Sequence, residues 1–219
     1  MRVTIDGSAV EVEPGTTILE AARQADTWIP TLCFDERLAP FGACRVCMVG
    51  VEGNPAPVPA CTTPCRDGMN VDTQDPASRR VATAVVELVL SELPEPPAAH
   101  TELAQVAARL EVTDQPRWPG ATHPVRQELD HPYLAFRHEL CISCGRCVRA
   151  CDEIQGAFAL TAVGRGFEAN VVAGMDSGFR ESTCVSCGAC ADTCPTDAIS
   201  ERRLIEFGDV YATISGAGA

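Results

Sequence analysis

The sequence predicts an α+β protein in which two cysteine-bearing modules flank a helical connector. Three observations support this fold class. Short alternating strands and one capped helix occupy the first third, the 13 cysteines fall into an early and a late group, and proline-punctuated helical segments lie between those groups. The predicted segments are residues 1–75, 76–135 and 136–207, followed by a tail at 208–219.

Residues 1–75 are predicted to form a β-grasp arrangement. Asp6-Gly7 between two alternating segments is a strong hairpin signal, and Thr17 with Glu20 fits a capping box at the start of a helix. The predicted elements are the strands Val3–Ile5 and Val10–Glu13, a helix with the apolar stripe Ile18, Leu19, Ala22 and Ala25, the strand Val46–Val51, and a last strand after the turn at Gly68.

Residues 76–135 are predicted to contain two amphipathic helices and an extended, proline-rich connector. The first helix has the apolar face Val81, Val85, Leu88 and Val89 and ends before Pro94. The second has the apolar stripe Leu103, Val106, Ala107 and Leu110. We interpret the segment as a spacer, with a docking surface as the alternative.

Charge and composition exclude several classes of function. The chain has 17 basic and 30 acidic side chains, for a formal net charge of −13. Nucleic acids and anionic membranes demand a positive surface, so neither is an expected partner. No apolar run approaches the ~20 residues of a membrane span, and the N-terminal residues lack an apolar signal core. We therefore expect a cytoplasmic protein without direct membrane insertion, whose clustered thiols are metal or redox ligands and not disulfides.

The late cysteines form an internal repeat. The run Cys-x2-Cys-x2-Cys-x3-Cys begins at Cys141 and returns 43 residues later at Cys184. Ferredoxin loops use this spacing to hold [4Fe–4S] clusters, with the fourth cysteine of each run bound to the other cluster. The predicted sites are Cys141, Cys144, Cys147 with Cys194, and Cys184, Cys187, Cys190 with Cys151. Structural zinc is the alternative, although zinc sites usually combine two distant Cys-x2-Cys pairs.

The early cysteines have the layout of a [2Fe–2S] site. A long loop supplies one ligand, a tight turn two more, and a distant strand end the fourth. The predicted ligands are Cys33, Cys44, Cys47 and Cys61, and Gly42 and Gly50 allow close backbone approach in this region. Cys65 is left over, as an alternative fourth ligand or as a free, partly buried thiol.

The remaining candidates carry weaker signals. His100, His123, His131 and His138 have no nucleophile in an obvious pairing, so we expect surface or packing roles. Gly164-x-Gly166 lacks the third glycine of a dinucleotide fingerprint. Arg146 and Arg149, inside the first ferredoxin run, either raise a cluster's potential or are solvated. No flavin, nicotinamide or molybdopterin site is recognisable, and no catalytic residue is assigned.

These motifs resemble one known iron–sulfur region. The spacing 33/44/47/61 followed by two ferredoxin runs is similar to the region shared by the G subunit of NADH:quinone oxidoreductase, the U subunit of NAD-reducing hydrogenases and the N-terminal part of the NAD-dependent formate dehydrogenase α subunit. The stretches 147–161, 164–167 and 181–190 look most like the formate dehydrogenase branch. The resemblance covers roughly residues 1–205.

The chain departs from this family in two respects. The formate dehydrogenase α subunit continues into a molybdenum-cofactor domain, whereas this sequence stops at Ala219, so we expect the catalytic portion on another chain. The family also carries a His-x3-Cys-x2-Cys-x5-Cys cluster site. Here His100 is present, but Ala104, Ala107 and Thr113 stand at the cysteine positions. We expect this helix to be retained and its cluster to be lost.

The resemblance implies an electron-transfer subunit with one [2Fe–2S] and two [4Fe–4S] clusters and no bond chemistry of its own. Its implied partners are a flavin-containing NAD(H) diaphorase subunit and a substrate-oxidising subunit, either a molybdenum or tungsten formate dehydrogenase or a NiFe hydrogenase. Formate is the first substrate expected and hydrogen the second, and a complex I-like enzyme is a further alternative. The alternative from another class is a redox-sensing module, although sensors usually carry one exposed, labile cluster.

Overall fold

Two compact units make up the protein in the computed structural model, which describes residues 1–112, 118, 120–125, 127–128 and 130–202. The first unit is Met1–Glu92 with Glu102–Ala121, and the second is Leu93–Thr101 with Thr122–Ala219. The combination of sheets and helices confirms the predicted α+β class. Thr113, residues 203–207 of the third predicted segment and the predicted tail at 208–219 lie outside the described residues.

The first unit is built on a mixed five-stranded sheet. Its elements are β1 (Arg2–Ile5), β2 (Ser8–Glu11), α1 (Ile18–Gln24), β3 (Met48–Val51), β4 (Val58–Pro59), β5 (Asn70–Asp72), α2 (Pro76–Glu92) and α3 (Glu102–Arg109). The strand order is β2-β1-β5-β3-β4, with β1 and β5 parallel and the other neighbours antiparallel. Asp6 and Gly7 both have positive φ (49° and 85°), which gives the hairpin turn its twist. The short strand β4 was absent from the sequence prediction.

Helix α1 begins at the predicted capping box. The Glu20 backbone N–H donates to the Thr17 hydroxyl at 3.3 Å, and the Thr17 backbone N–H donates to the Glu20 carboxylate at 2.6 Å. These two bonds satisfy donors that the first helical turn leaves open. The buried face of α1 consists of Ile18, Leu19, Ala21 and Ala22, which pack with Val3, Ile5 and Val49 of the sheet.

Helix α2 packs with a different face from the predicted one. Its buried residues are Ser78, Ala82, Val86 and Leu90, while Val81 and Leu88 of the predicted face are 37% and 48% exposed. The prediction was wrong because it chose the most apolar stripe. Asp75 accepts hydrogen bonds from the Ser78 backbone N–H and hydroxyl at 2.7 and 2.8 Å, and these bonds bury Ser78 at the start of the helix.

Helix α3 buries the predicted stripe. Leu103, Val106, Ala107 and Leu110 are each less than 9% exposed. Of the residues at the expected cysteine positions of the family's further cluster, Ala107 is thus buried, and Ala104 is half-buried. Among the described residues, no helix is long and apolar enough to cross a membrane.

The second unit carries two small sheets and two short helices. Its elements are β6 (Gln127–Glu128), β7 (Leu134–Arg137), α4 (Arg146–Arg149), β8 (Leu160–Val163), β9 (Asn170–Ala173), α5 (Ala189–Asp192) and β10 (Ile199–Glu201). Strands β10, β7 and β6 form one antiparallel sheet, and β8 pairs with β9 in a hairpin. A π-helical turn, Ala150–Ile154, follows α4 directly. The core contains Phe136, Val171 and Ile199 together with buried cysteines of both runs, and half-buried cysteines of the repeat pack against it.

Candidate iron–sulfur sites

The four early cysteines lie on the loop between α1 and β3 and just after β4. Cys33, Cys47 and Cys61 are buried and Cys44 is half-buried. The Cys44 backbone N–H points to Cys33 Sγ at 3.5 Å. Gly42 has a φ of 67°, and an added Cβ would lie 3.0 Å from Thr62 Cγ2, so a side chain there would press on the segment that carries Cys61. Gly50 has another role, because its missing Cβ makes room for Asp75 before α2.

The early thiols form two close pairs. A hydrogen bond with Cys33, together with burial, raises the pKa of Cys44. A hydrogen bond with Cys61, together with burial, raises the pKa of Cys47, and the same bond lowers the pKa of Cys61. Each pair therefore holds its last proton tightly, and a metal that binds thiolates must displace those protons.

Cys65 occupies a different environment from the predicted ligands. It is 5% exposed and belongs to the hydrophobic core of the first unit, and its backbone N–H donates to the Thr16 carbonyl at 2.8 Å. Burial raises the pKa of the Cys65 thiol, with a smaller contribution from Glu20. This environment suits a free thiol, one of the two roles that the sequence left open for Cys65, and the side chain is more fully buried than expected.

The two ferredoxin runs fold as copies of one loop. Ser143 and Ser186 have φ of 51° and 59°, and Gly145 and Gly188 have φ of 74° and 80°. Each glycine caps the short helix that follows it, α4 or α5. The alternation of left-handed residues turns the backbone tightly around the inside of the loop, where the three closely spaced cysteines lie.

The structure brings together each of the crossed cysteine sets. One small cavity is lined by Cys141, Cys144, Cys147 and Cys194. A second is lined by Cys151, Cys184, Cys187 and Cys190. In both, three cysteines come from one loop and the fourth follows the short helix of the other loop. Apolar residues complete the linings, including Phe136 and Val171 in the first and Leu134 and Leu160 in the second.

The chemistry of these cavities fits iron–sulfur clusters. Burial raises the pKa of Cys144 and of Cys190 to about 12, and that of Cys147 well above its usual range, so these thiols stay protonated until iron binds them. Backbone N–H groups point at sulfurs of two predicted ligands, from Ala159 to Cys151 at 3.2 Å and from Ser186 to Cys184 at 3.4 Å. Such N–H groups stabilise the negative charge of a bound cluster.

The cysteines surround these cavities without meeting at a point. Across the described ranges, no three His, Cys, Asp or Glu side chains converge as they would on one metal ion. A cluster takes one thiolate at each iron corner, so its ligands are spread around it.

The two arginines of the first run are more buried than a solvated role implies. Arg146 is 3% exposed, and its Nε donates to the Thr193 hydroxyl at 2.9 Å, next to Cys194. The Arg149 side chain is 14% exposed, with Glu153 at 4.0 Å. Arg146 therefore joins the first cysteine loop to the end of the second run, and its charge lowers the energy of nearby thiolates.

Three histidines fit the expected packing or surface roles, and one does not. His138 stacks on Phe136, His123 stacks on Phe167, and the exposed His100 contacts Asp197 at 2.5 Å. His131 is 3% exposed, and its Nε2 lies 3.6 Å from Cys184 Sγ. Sequence reasoning missed this contact because 53 residues separate the two side chains and no motif joins them.

Comparison with known families identifies both cysteine modules. Residues 1–76 match the 2Fe-2S iron-sulfur cluster binding domain, and residues 140–198 match the 4Fe-4S dicluster domain. Both cluster types predicted from the cysteine spacing are therefore confirmed at the level of domains.

Curated proteins with similar sequences are subunits of NAD(P)-linked complexes. The NADP-reducing hydrogenase subunit HndD of Solidesulfovibrio fructosivorans is 33% identical over 94% of this chain and 37% of its own length. The G 2 subunit of NADH-quinone oxidoreductase from Rhizobium meliloti is 32% identical over 78% of this chain and 21% of its own. The NADPH-Fe(3+) oxidoreductase subunit alpha of Geobacter sulfurreducens is 36% identical over 80% and 21%. The chain thus spans between about a fifth and two fifths of these relatives.

A solved structure matches over most of both chains. A chain of the NAD⁺-reducing [NiFe]-hydrogenase in its H2-reduced state has a TM-score of 0.84 and 26% identity, covering 92% of this chain and 87% of its own. These relatives support the predicted resemblance to hydrogenase and complex I-like subunits. None of these relatives is a formate dehydrogenase, so that branch of the prediction stays unconfirmed.

Proposed function

We infer that this chain is an iron–sulfur electron-transfer component of an NAD(P)-linked oxidoreductase complex. The observation that carries this inference is the crossed pair of cavities, each lined by four cysteines of the repeat. Two sites that share their loops lie next to each other, as a path for electrons requires. Iron–sulfur clusters supply one-electron transfer and no bond chemistry, so reactions at substrate and nicotinamide belong to partner subunits.

The chain's own residues hold and tune three sites in this proposal. Cys33, Cys44, Cys47 and Cys61 hold a [2Fe–2S] cluster, and the two crossed sets hold [4Fe–4S] clusters. Apolar side chains such as Phe136 and Leu160 exclude water from the cavities, while backbone N–H groups and buried Arg146 favour the added electron. The loss of the family's further cluster, held by one histidine and three cysteines, is also part of the proposal, since Ala104 and Ala107 offer no ligand atom.

Hydrogen and formate are the two substrates to be distinguished. The matched hydrogenase chain is covered over 87% of its length, which favours hydrogen. The similarity of residues 147–190 to the formate dehydrogenase branch favours formate. In either case the proposed partners are a flavin-containing diaphorase subunit and the substrate-oxidising subunit.

Purification of the intact complex from its native host, through a tag on this chain, tests the assignment. We expect a flavin subunit and a nickel, molybdenum or tungsten subunit to co-purify. NADH and one of the two substrates should each reduce the clusters, as seen by EPR. The substrate that reduces them identifies the complex. A chain that purifies without such subunits, and binds a regulatory partner only in one oxidation state, would support the redox-sensing alternative instead.

A further inference from the structure

His131 contacts Cys184, a predicted cluster ligand, and the cysteine motifs do not explain this contact. Its ring is buried, lying edge-on to Phe179 with 5.2 Å between ring centroids. Nε2 lies 3.6 Å from Cys184 Sγ and 3.1 Å from Ser186 Oγ. One face of the second ferredoxin loop therefore rests against this imidazole.

The hydrogen bonds at the other ring nitrogen fix which nitrogen carries the proton. Nδ1 accepts from the backbone N–H groups of Tyr133 at 3.1 Å and of Leu134 at 2.9 Å. A nitrogen that accepts two hydrogen bonds has no room for a proton of its own, so the neutral ring carries its hydrogen on Nε2. A cluster-bound cysteine is a thiolate and only accepts, so Nε2–H is the donor in the contact with Cys184.

We propose that His131 is a positioning residue that raises the reduction potential of the cluster held by Cys151, Cys184, Cys187 and Cys190, through an Nε2–H hydrogen bond to Cys184 Sγ. Reduction adds one electron to the cluster, and an N–H donor stabilises the more negative reduced state. The Ser186 hydroxyl oxygen, 3.1 Å from Nε2, accepts a hydrogen bond from the same N–H group. The proposal rests on the cluster assignment made above.

The local structure holds this donor in a fixed direction. The two backbone bonds to Nδ1 come from the start of β7, and Phe179 packs against the ring. The backbone N–H of Ser186 adds a second donor to the same sulfur at 3.4 Å. Cys184 is thus the ligand of this site with both a side-chain and a backbone donor among the described hydrogen bonds. In the first run, the equivalent Cys141 has no such histidine contact among them.

Redox titration of the holoprotein, followed by EPR, tests the proposal with two variants. His131→Phe removes the donor and keeps the ring, so the reduction potential of this cluster should fall by about 59 mV. For one electron, this equals a tenfold rise in the oxidised-to-reduced ratio at a fixed potential. His131→Gln retains an N–H donor near Nε2 and should restore most of the difference. The cluster of Cys141, Cys144, Cys147 and Cys194 is the internal control, and His123→Phe, which keeps the stacking on Phe167, is the matched histidine control.

A measurement on the unmodified protein covers the case in which His131→Phe fails to fold. Labelling histidine with ¹⁵N should give the reduced cluster a weak nitrogen coupling in pulsed EPR, smaller than that of a directly bound imidazole. No coupling, a coupling of direct ligation, or equal shifts of both [4Fe–4S] clusters in His131→Phe would overturn the proposal. Iron and sulfide are measured in each sample, because protein without clusters contradicts the proposed function, whereas loaded protein without the shift contradicts only the role of His131.

Discussion

Replacing Cys194 with serine is expected to disturb the cluster of Cys141, Cys144 and Cys147, although Cys194 is far from them in sequence. Cys194 lines their cavity and not the one formed by its own run. Loss of a hydrogen bond from a neighbouring group to a metal ligand typically lowers metal affinity roughly 10–100-fold. Replacing the ligand itself should therefore lower the affinity for that cluster by at least about tenfold. EPR of the reduced protein should show a shifted or missing signal for this cluster alone.

Cys151→Ser is the reciprocal variant and provides the matched control. Cys151 follows the first run but lines the cavity of Cys184, Cys187 and Cys190. We expect its replacement to affect that second cluster and to spare the first. Cys144→Ser identifies which signal belongs to the first cluster. If Cys194→Ser instead disturbs the cluster of Cys184, Cys187 and Cys190, ligation is local and the crossed assignment fails.

Deleting this chain is expected to abolish substrate-dependent NAD⁺ reduction by the complex. Electrons from the substrate would then have no path to the flavin, and the rate should fall to background. NADH:dye activity of the isolated flavin subunit should persist, since it needs no distant donor. Steady-state assays with hydrogen and with formate provide the measurement.

Complementation shows whether the path depends on the cysteine sites. The wild-type chain and Cys65→Ser should both restore turnover, because Cys65 lies in the core of the first unit with Thr16 as its backbone partner. Cys194→Ser should restore little of it. Substrate-to-NAD⁺ turnover that survives the deletion would show that electrons take another path.

The two cysteine loops were predictable from the sequence because the spacing of the cysteines restricts the backbone between them. Three thiolates with two residues between each pair fit only a tight loop, and the loop needs left-handed backbone at Ser143 and Gly145, and again at Ser186 and Gly188. The capping box of Thr17 and Glu20 was predictable for a similar reason, since both partners lie within one helical turn. Local chemistry determines such features.

Features that depend on tertiary packing were not predictable in the same way. Helix α2 buries Ser78 and Ala82, whereas the more apolar Val81 and Leu88 remain exposed. The hairpin of β8 and β9 was not predicted, although Gly164 and Gly166 lie in its turn at positive φ (72° and 59°). His131, just before β7, contacts Cys184 across a sequence separation of 53 residues. No spacing rule encodes these contacts.

Total iron, acid-labile sulfide and zinc in the anaerobically purified chain decide whether this protein holds three clusters. We expect about ten irons and as many sulfides per chain, from one [2Fe–2S] and two [4Fe–4S] sites. Mössbauer spectra should divide the iron into roughly one part in [2Fe–2S] and four parts in [4Fe–4S] environments. Stoichiometric zinc with little sulfide would show that the cysteines bind zinc and that the three clusters are absent.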